Sequence, residues 1–370
     1  MTGIDACPAC LRRSRLLERL ASRIDKVCTD RPGKRTPELL ALGNEDLVAA
    51  TCRTDGGVIL EEVLETTEAS MVAEIAEADC WARCRHSEDW PDGLRDGADA
   101  PWCLIGRGDS IRLGEVSTGG SVTVVGARRA TSYGLEMARS ISHELSAAGL
   151  LVVSGMALGI DGAAHRGALE AGPTVAVLGC GVDRPYPVSH TRLYRNIVEN
   201  GLVISEFPPG TQPWKWTFPA RNRIMAALSQ MTVVVEAARR SGSLITAEMA
   251  ADAGREVGAV PGQVTSLAAG GTNELISSGA ALIRDGRDVI DRVIGVGAPA
   301  PRLSGPNLTP EAMTVLEAVA DGFGTCEAVS VRLGLEPAQV AAELARLEVA
   351  GYLTCSLLGQ YIRTGLGTAG

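Results

Sequence analysis

The chain has 370 residues, of which 45% are hydrophobic and 4% aromatic. This length predicts two or three domains, and the composition is typical of an α/β protein rich in Val, Leu and Ala. A net charge of −9 argues against a protein that coats nucleic acid by bulk charge, so any nucleic-acid site has to be a local basic pocket. We expect a cytoplasmic protein, because the sequence contains no membrane-length apolar run and no signal-peptide pattern.

The N-terminal part is predicted to be helical. Leu16, Leu17 and Leu20 share one helical face, and similar apolar patterns continue to about residue 80. The stretch 89–99 is rich in Pro, Gly and Asp, which predicts a linker.

Ten cysteines are scattered along the chain, which favours reduced thiols over a disulfide framework. Cys7 and Cys10 form a C-x-x-C pair, and Cys80, Cys84 and His86 form a second group about seventy residues later. Zinc binding by these residues is an open alternative. The spacing of the second group is irregular, so we expect no metal site.

From residue 122 the pattern changes to short apolar strands that alternate with helices. This alternation predicts a doubly wound, mostly parallel sheet with helices on both faces. The predicted strands are 122–125, 150–153, 174–178, 202–204, 232–235, 257–260 and 281–283. The predicted helices are 134–148, 163–171, 190–200, 224–228, 246–253 and 273–278. Ligands of such sheets bind at the carboxyl ends of the strands, where small loop residues follow here.

The C-terminal part is predicted to be a separate domain. A linker rich in Pro and Ala, 299–306, is followed by three helical patterns and a hairpin, which predict a winged-helix domain over 307–370. The third helix carries Glu343, Arg346 and Glu348. Its low positive charge supports a protein contact at least as well as the reading of a DNA groove.

The segment Phe218–Arg223 is the strongest candidate for a ligand site. Pro219 is expected to fix a loop that Asn222 holds by bonds to the backbone, and Arg221 and Arg223 require anionic acceptors. The alternative is a core phenylalanine and an arginine paired with a nearby glutamate.

Two tryptophans lie just upstream of this segment. Trp214 and Trp216 flank Lys215, and aromatic rings interleaved with cations are typical of single-stranded nucleic-acid binding. The alternative is that one tryptophan belongs to the core and the other to a loop.

Further candidates follow the predicted strands. Gly126 allows close approach of the backbone, and Arg128 offers a forked donor to phosphate, although a turn with solvated arginines is the alternative. A later polar segment opens a helix whose free N–H groups are suited to an anion. Its candidate residues are Ser241, Gly242, Ser243 and Thr246.

The segment 154–162 contains three glycines, among them Gly155, which allow backbone N–H groups to converge on an anion. It matches neither the dinucleotide fingerprint nor the P-loop. Ser154, Asp161 and His165 are a conceivable catalytic triad, but Asp161 and His165 are more simply explained as residues that brace the start of a helix.

Taken in order, these motifs resemble the DNA-processing protein A family, also called DprA or Smf. The segments that carry the resemblance are 125–128, 131–134, 154–161, 164–165, 176–179, 186–187, 205–206, 218–223, 235–237, 241–247, 261–262 and 271–273. The resemblance is close over about residues 90 to 290. One departure is Ala127, which stands where the family commonly has a hydroxyl residue.

The resemblance implies an extended Rossmann-like domain over 86–298, preceded by a helical domain similar to a sterile alpha motif (SAM-like) over 1–85. It also implies a homodimer without enzymatic activity or cofactor that binds single-stranded DNA. Members protect incoming strands in natural transformation, displace single-strand-binding protein and help load the RecA recombinase. The apolar sheet edge at 281–283 is our candidate for the dimer face.

The resemblance also implies roles for individual residues. Arg128 is expected to contact phosphate, and Phe218 is expected to stack on a base. Arg221 and Arg223 are expected to line the pocket. Ser243 and Thr246 are expected to hold a second phosphate.

Two other functions are weighed against this one. A nucleotide phosphoribohydrolase of a related Rossmann group is the main alternative. The segment 270–274 is only distantly similar to the Gly-rich loop of that group. A winged-helix regulator that senses a nucleotide is a weaker third possibility.

Overall fold

A central sheet of ten strands organises the computed structural model, which describes residues 3–30, 36–95, 97–118, 120–296, 308–356 and 359–363. The strands are β1 (Ile4–Asp5), β2 (Trp81–Cys84), β3 (Cys103–Gly108), β4 (Ser121–Val125), β5 (Leu151–Ser154), β6 (Thr174–Val177), β7 (Leu202–Ser205), β8 (Met231–Val234), β9 (Glu256–Ala259) and β10 (Ala281–Leu282). In these ranges no helix combines the length and hydropathy that a membrane span requires.

The strand order is β1-β2-β3-β7-β6-β5-β4-β8-β9-β10. From β7 to β10 all neighbours are parallel, whereas β3 pairs antiparallel with β2 and β7. The chain builds outward from β4 to β7 and then returns to place β8 on the other side of β4. The direction of winding therefore reverses between β4 and β8, which confirms the doubly wound, mostly parallel α/β sheet.

Helices cover both faces of the sheet because successive strand residues point to opposite sides. These helices are α7 (Ile111–Thr118), α8 (Ser132–Ala147), α9 (Ile160–Leu169), α10 (Thr191–Asn200), α11 (Thr217–Leu228), α12 (Gly242–Asp252), α13 (Gly270–Ser277) and α14 (Gly286–Val293). Val152 packs with α8, α9 and α14, whereas its neighbour Val153 packs with α7, α11 and α12.

The sequence did not predict the three strands β1, β2 and β3. Gly106 and Arg107 interrupt the apolar run of β3, yet Gly106 is where the Trp81 ring crosses the strand. A Cβ at Gly106 would lie 2.2 Å from that ring. The linker prediction for 89–99 is wrong, because Trp90 and Leu94 are buried in the core.

Six helices lie in the described N-terminal part, and the apolar faces of the first five meet in one cluster, whereas Met71 and Ile75 of the sixth pack in a cluster beside the sheet. They are α1 (Pro8–Arg19), α2 (Ala21–Asp30), α3 (Thr36–Leu40), α4 (Asn44–Thr51), α5 (Gly56–Glu65) and α6 (Glu68–Glu77). Trp216 joins the cluster of the first five helices, and its Nε1 donates to the carbonyl of Ala21 at 2.9 Å. The helices are therefore fixed directly to the segment that precedes α11.

The C-terminal part has a core of its own. Its elements are α15 (Pro310–Ala320), α16 (Cys326–Leu333), α17 (Pro337–Val349) and the antiparallel pair β11 (Leu353–Cys355) and β12 (Tyr361–Arg363). The order of three helices and a hairpin follows the expectation, but the winged-helix assignment stays a prediction. So do the domain boundaries, and β1 and β2 bring residues of the proposed N-terminal domain into the sheet. The linker 299–306 lies outside the described residues.

Candidate functional site

A pocket opens at the carboxyl ends of β4, β5 and β6, with the first turn of α11 above it. Its wall contains Arg128 from the loop after β4, Gly155 and Leu158 from the loop after β5, and Gly179 from the loop after β6. The pocket therefore lies where loop residues gather beside the point of reversed winding, as expected for this class of sheet.

Two aromatic rings and a guanidinium stack at the mouth of this pocket. The Phe218 and Tyr186 ring centroids are 5.4 Å apart with an interplanar angle of 34°. The Arg128 guanidinium carbon lies 5.3 Å from the centroid of the Phe218 ring. Arg128 is exposed, Phe218 is half-buried and Tyr186 is 40% exposed. The arrangement presents a flat apolar surface beside an accessible cation.

Phe218 and Pro219 belong to helix α11 and not to a loop. The helix begins at Thr217, whose hydroxyl donates to the carbonyl of Gly179. Pro219 lies in the first helical turn, where its missing N–H would have had no helical acceptor. The expectation that Pro219 fixes a loop is therefore wrong.

Arg221 lies at the floor of the pocket and is buried. Its Nη1 donates to the carbonyl oxygens of Gly155 and Val177 at 2.5 Å, and its Nε donates to Asn222 Oδ1 at 3.0 Å. A Cβ at Gly155 would lie 2.1 Å from Nη1, so only glycine leaves space for this side chain. Asn222 thus holds the Arg221 side chain and not a loop backbone.

The glycine-rich loop after β5 already holds an anion, which is the carboxylate of Asp161. Its Oδ2 accepts from the N–H groups of Gly155 and Ala157 at 3.2 and 3.3 Å. Burial raises the pKa of Asp161, and the charge of Arg221 opposes that rise. The converging N–H groups were correctly predicted, but a residue of the chain occupies them.

Arg223 points away from the pocket, contrary to the expectation that it lines the site. Its Nη2 donates to both carboxylate oxygens of Glu206, at 2.9 and 2.8 Å, and both side chains are buried. Its Nε lies 3.7 Å from Asp99. The alternative interpretation paired Arg221 with a nearby glutamate, but it is Arg223 that forms this pair, with Glu206.

Gly126 and Ala127 connect the loop after β4 to the loop after β8. A Cβ at Gly126 would lie 2.6 Å from Ile160, so glycine is required here for packing. The N–H of Ala127 donates to the carbonyl of Glu236 at 2.7 Å. The Ala127 contact uses the backbone alone, so it needs no hydroxyl side chain.

Glu236 also occupies the N-terminus of α8. Its carboxylate accepts from the Thr131 N–H at 3.0 Å and from the Thr131 hydroxyl. A Cβ at Gly134 would lie 2.8 Å from the carboxylate. A Rossmann fold commonly places a ligand phosphate at such a helix start, and here a carboxylate of the chain is in that place.

The candidates at the start of α12 lie on the loop after β8 and do not line the pocket. Ser241 caps the helix by accepting from the Ser243 N–H, and the two hydroxyl oxygens are 2.7 Å apart. Thr246 is buried, and Gly242 is exposed. Contact of these residues with a phosphate stays a prediction.

The structure does not assemble a catalytic triad. The Ser154 hydroxyl donates to the carbonyl of Val124 at 2.6 Å, and His165 Nδ1 lies 2.8 Å from the Thr174 hydroxyl. Burial lowers the pKa of His165 to about 3. Asp161 accepts from the N–H groups of Gly155 and Ala157 and is not the partner of the His165 ring.

The two tryptophans that the sequence offered as stacking residues do not lie at the pocket. Trp216 is buried and lies edge-on to Phe207, with ring centroids 5.6 Å apart, so it is a core residue. Trp214 packs partly buried against the same cluster. The second ring at the site is Tyr186, which the sequence offered only as part of the Tyr186-Pro187 motif.

One further arginine, Arg166, was missed by the sequence reasoning, whereas Arg129 directly follows the candidate Arg128. Arg129 and Arg166 are exposed and line a groove that shares Arg128 with the pocket. Within the described ranges none of these three arginines forms an ion pair. Arg166 lies two helical turns into α9, so only the fold brings it beside the loop after β4.

Residues that could hold a metal lie elsewhere, at the other end of the sheet. The ligand atoms of Cys7, Cys10, Cys84 and His86 lie within 4.8 Å of one another. Cys80 is not part of this group, because its thiol donates to the carbonyl of Ala78.

The segment 270–274 does not form a phosphoribohydrolase-like loop. It lies in α13, where Thr272 is buried and bonds to the carbonyl of Ala269. Glu274 lies on the surface, 3.7 Å from Arg239. The arrangement does not favour the enzymatic alternative.

Comparison with known proteins agrees with this architecture. The DNA processing protein DprA of Streptococcus pneumoniae is 42% identical over 204 residues, which are 54% of this chain and 70% of that protein. Its X-ray structure matches 78% of this chain and 99% of its own with a TM-score of 0.62. A structure of DNA processing protein A from Helicobacter pylori, described for its single-stranded DNA binding mode, matches 57% of this chain and 97% of its own, with 30% identity and a TM-score of 0.51.

The family model described as DNA recombination-mediator protein A matches residues 81–294. This segment contains the whole pocket, from the loop after β4 to the first turns of α11. The chain belongs to the DNA recombination-mediator protein A family.

Proposed function

We propose that this chain binds single-stranded DNA, without hydrolysing it, as a recombination mediator. The observation that carries the proposal is the stack of Phe218 and Tyr186 beside exposed Arg128 on an otherwise acidic protein. A base stacks on an aromatic face while its phosphate pairs with an arginine. Bases of a duplex are already stacked on each other, so this surface favours single strands.

The groove next to the pocket provides a path for the strand. Arg129 and Arg166 line it together with Arg128. Among the described residues these three arginines form no ion pair and can bind phosphate, whereas the neighbouring Arg139 is held by Glu170 at 2.8 and 3.0 Å. In this proposal the base enters at Phe218 and the backbone continues along the arginines. Ser241, Gly242, Ser243 and Thr246 contribute a second phosphate contact on the adjacent loop.

The proposal assigns the protein no catalysis and no cofactor. The side chains that would perform acid–base or nucleophilic chemistry near the pocket are buried and engaged with the backbone or with each other, as described for Ser154, Asp161 and His165. Arg221 and Gly155 shape the pocket floor and do not have to contact the strand.

The further partners follow from the family and are part of the proposal. The protein protects strands in the cytoplasm, displaces single-strand-binding protein and helps load the RecA recombinase in recombination, including natural transformation. It does so as a homodimer. The edge strand β10 is paired on one side only, and Leu282 is 45% exposed there, which supports the candidate dimer face at 281–283, although Ile283 itself is buried.

The proposal is tested by fluorescence anisotropy with a labelled single-stranded oligonucleotide at several salt concentrations. Phe218→Ala is expected to weaken binding about 5- to 150-fold, since one base stack contributes about 1–3 kcal/mol. Phe218→Tyr is the matched control that keeps the ring.

A second pair of variants tests the cation. Arg128→Ala is expected to lower the slope of log K against log salt by about 0.7, the value for one phosphate contact on a single strand. Arg53→Ala removes an exposed arginine that lines neither the pocket nor the groove and should leave the slope unchanged. Equal affinities of wild type and Phe218→Ala, or of single strand and duplex, would contradict the proposal.

A further inference from the structure

Four potential metal ligands meet at the edge of the sheet opposite β10. Cys7 and Cys10 come from the start of α1, Cys84 is the last residue of β2, and His86 follows that strand. The two pairs are distant in sequence: Cys7 lies 77 residues before Cys84 and 79 residues before His86. The parallel pairing of β1 with β2 places Asp5 opposite Arg83, which brings the pairs together.

The distances in this cluster match those of a tetrahedral metal centre. His86 Nδ1 lies 3.4, 3.6 and 3.7 Å from the sulfurs of Cys7, Cys10 and Cys84. Zn–S bonds of about 2.3 Å and Zn–N bonds of about 2.0–2.1 Å at tetrahedral angles put nitrogen and sulfur ligands about 3.6 Å apart. The imidazole nitrogen therefore already lies at the distance from all three sulfurs that a zinc ion requires.

Backbone turns hold each pair of ligands in place. Cys7 precedes helix α1, and its carbonyl accepts from the Cys10 N–H at 3.1 Å, which puts both sulfurs on one side. After β2, the Ser87 N–H donates to the carbonyl of Cys84 at 2.8 Å, and the Ser87 hydroxyl accepts from the Cys84 N–H at 3.0 Å. The cluster is therefore built on two tight turns.

The surroundings suit thiolate sulfur. The Cys7 N–H points to Cys84 Sγ at 3.4 Å, whereas the Ser87 hydroxyl donates to the carbonyl of Asp5 at 2.6 Å. An N–H donor of this kind stabilises the negative charge of metal-bound sulfur and orients it. Cys10 and Cys84 are buried, whereas His86 is exposed, so an ion can enter from the His86 side.

We propose that Cys7, Cys10, Cys84 and His86 bind one Zn²⁺ ion in a closed structural site. Three sulfurs and one imidazole complete a tetrahedron and leave no position for water or substrate, which is the arrangement of structural zinc. The irregular spacing that argued against zinc in the sequence is overcome by the β1–β2 pairing.

The ion would fix the N-terminal helices to the sheet. Strand β1 has two residues, which is little pairing to hold a chain end. Helix α1 contributes Leu16 and Leu17 to the cluster that also contains Trp216, and Trp216 directly precedes α11. Zinc would thus stabilise the packing of the N-terminal helices against Trp216, and with it the position of α11 and Phe218, without contact to the pocket.

The test uses the full-length chain, purified with a reductant and without chelator. Metal analysis by mass spectrometry is expected to find about one zinc ion per chain. Cys84→Ser and His86→Ala should each lower that content at least severalfold, and Cys355→Ser, a half-buried cysteine of the C-terminal part, should not. His86 is exposed, so its variant is expected to fold even if Cys84→Ser does not.

Cobalt substitution supplies a second readout that depends on coordination alone. Co²⁺ added to the zinc-free chain is expected to give the intense visible bands of a tetrahedral thiolate centre, and His86→Ala should weaken them. Unchanged zinc content in both ligand variants would overturn the proposal. So would a zinc-free protein that takes up neither metal, or a Cys7–Cys10 disulfide found in reductant-treated protein.

Discussion

Replacing Arg221 by methionine tests whether this arginine builds the pocket or contacts a ligand. The family resemblance assigns Arg221 to the pocket lining, but its side chain is buried and donates to the carbonyls of Gly155 and Val177. We expect Arg221→Met to destabilise the fold first and to weaken DNA binding as a consequence. Arg128→Met, at an exposed position, should weaken binding and leave stability unchanged.

The magnitude follows from what the variant leaves behind. Hydrogen bonds from a charged donor contribute about 1.5–3 kcal/mol each, and the variant removes three of them, to Gly155, Val177 and Asn222. It also takes the compensating charge from Asp161, whose carboxylate stays buried. Removing one partner from a buried charged arrangement costs about 3–5 kcal/mol. We expect a loss of that size in the free energy of unfolding.

The pH dependence has a definite sign. Burial raises the pKa of Asp161 and Arg221 opposes that rise, so Arg221→Met raises this pKa further. A carboxyl with a raised folded-state pKa is destabilising when ionised, and the effect is relieved as the pH falls through that pKa. The stability deficit of Arg221→Met should therefore be smaller at acid pH than at neutral pH.

Urea unfolding measures this deficit, followed in parallel by tryptophan fluorescence and circular dichroism to test for a two-state transition. The double variant Arg221→Met/Asp161→Asn should recover part of the lost stability, because it removes the uncompensated charge. A loss below about 1 kcal/mol, or no recovery in the double variant, would refute the structural role of Arg221.

Three other residues give independent predictions. The pKa of His165 is lowered to about 3, so stability should fall as the pH drops from about 6.5 toward 3, and His165→Gln should reduce that slope in urea midpoints. Glu236→Gln removes the negative charge from the start of α8 and should cost about 0.5–2 kcal/mol, measured by thermal unfolding. Trp216→Phe removes the hydrogen bond to Ala21 and should cost about 1–3 kcal/mol, with faster amide exchange in α2.

Much of the sheet could be predicted from the sequence because its parallel strands are continuous apolar runs. All seven predicted strands are present within one or two residues of their expected bounds. The loops that carry Arg128, Gly155 and Ser241 were correctly placed at the carboxyl edge. In a parallel sheet all strands run in one direction, so their carboxyl ends and the loops after them lie at one edge. The alternation of strands and helices indicates that the strands are parallel.

The orientation of the two arginines could not be predicted once Pro219 was taken to mark a loop. On a helix, residues two apart point about 200° apart, whereas residues three apart share a face. Phe218 and Arg221 therefore reach the same pocket, and Arg223 faces Glu206. The helix start had to be known before this assignment could be made.

The cysteine cluster and the occupied anion sites depend on contacts distant in sequence. Strand β1 is too short for any periodicity to show, so nothing local links Cys7 to Cys84. The glycine pattern after β5 predicted converging N–H groups, but it gave no sign that the Asp161 carboxylate accepts from them. Such contacts are properties of the folded chain.

The carboxylates of Asp161 and Glu236 have a consequence for the cell. They lie at loop and helix starts of the kind where many proteins of this sheet architecture hold the phosphates of a dinucleotide. A nucleotide phosphate would therefore find both positions already filled by side chains of the chain. Under the proposed function, these two carboxylates make the protein selective for a DNA strand over its free nucleotides.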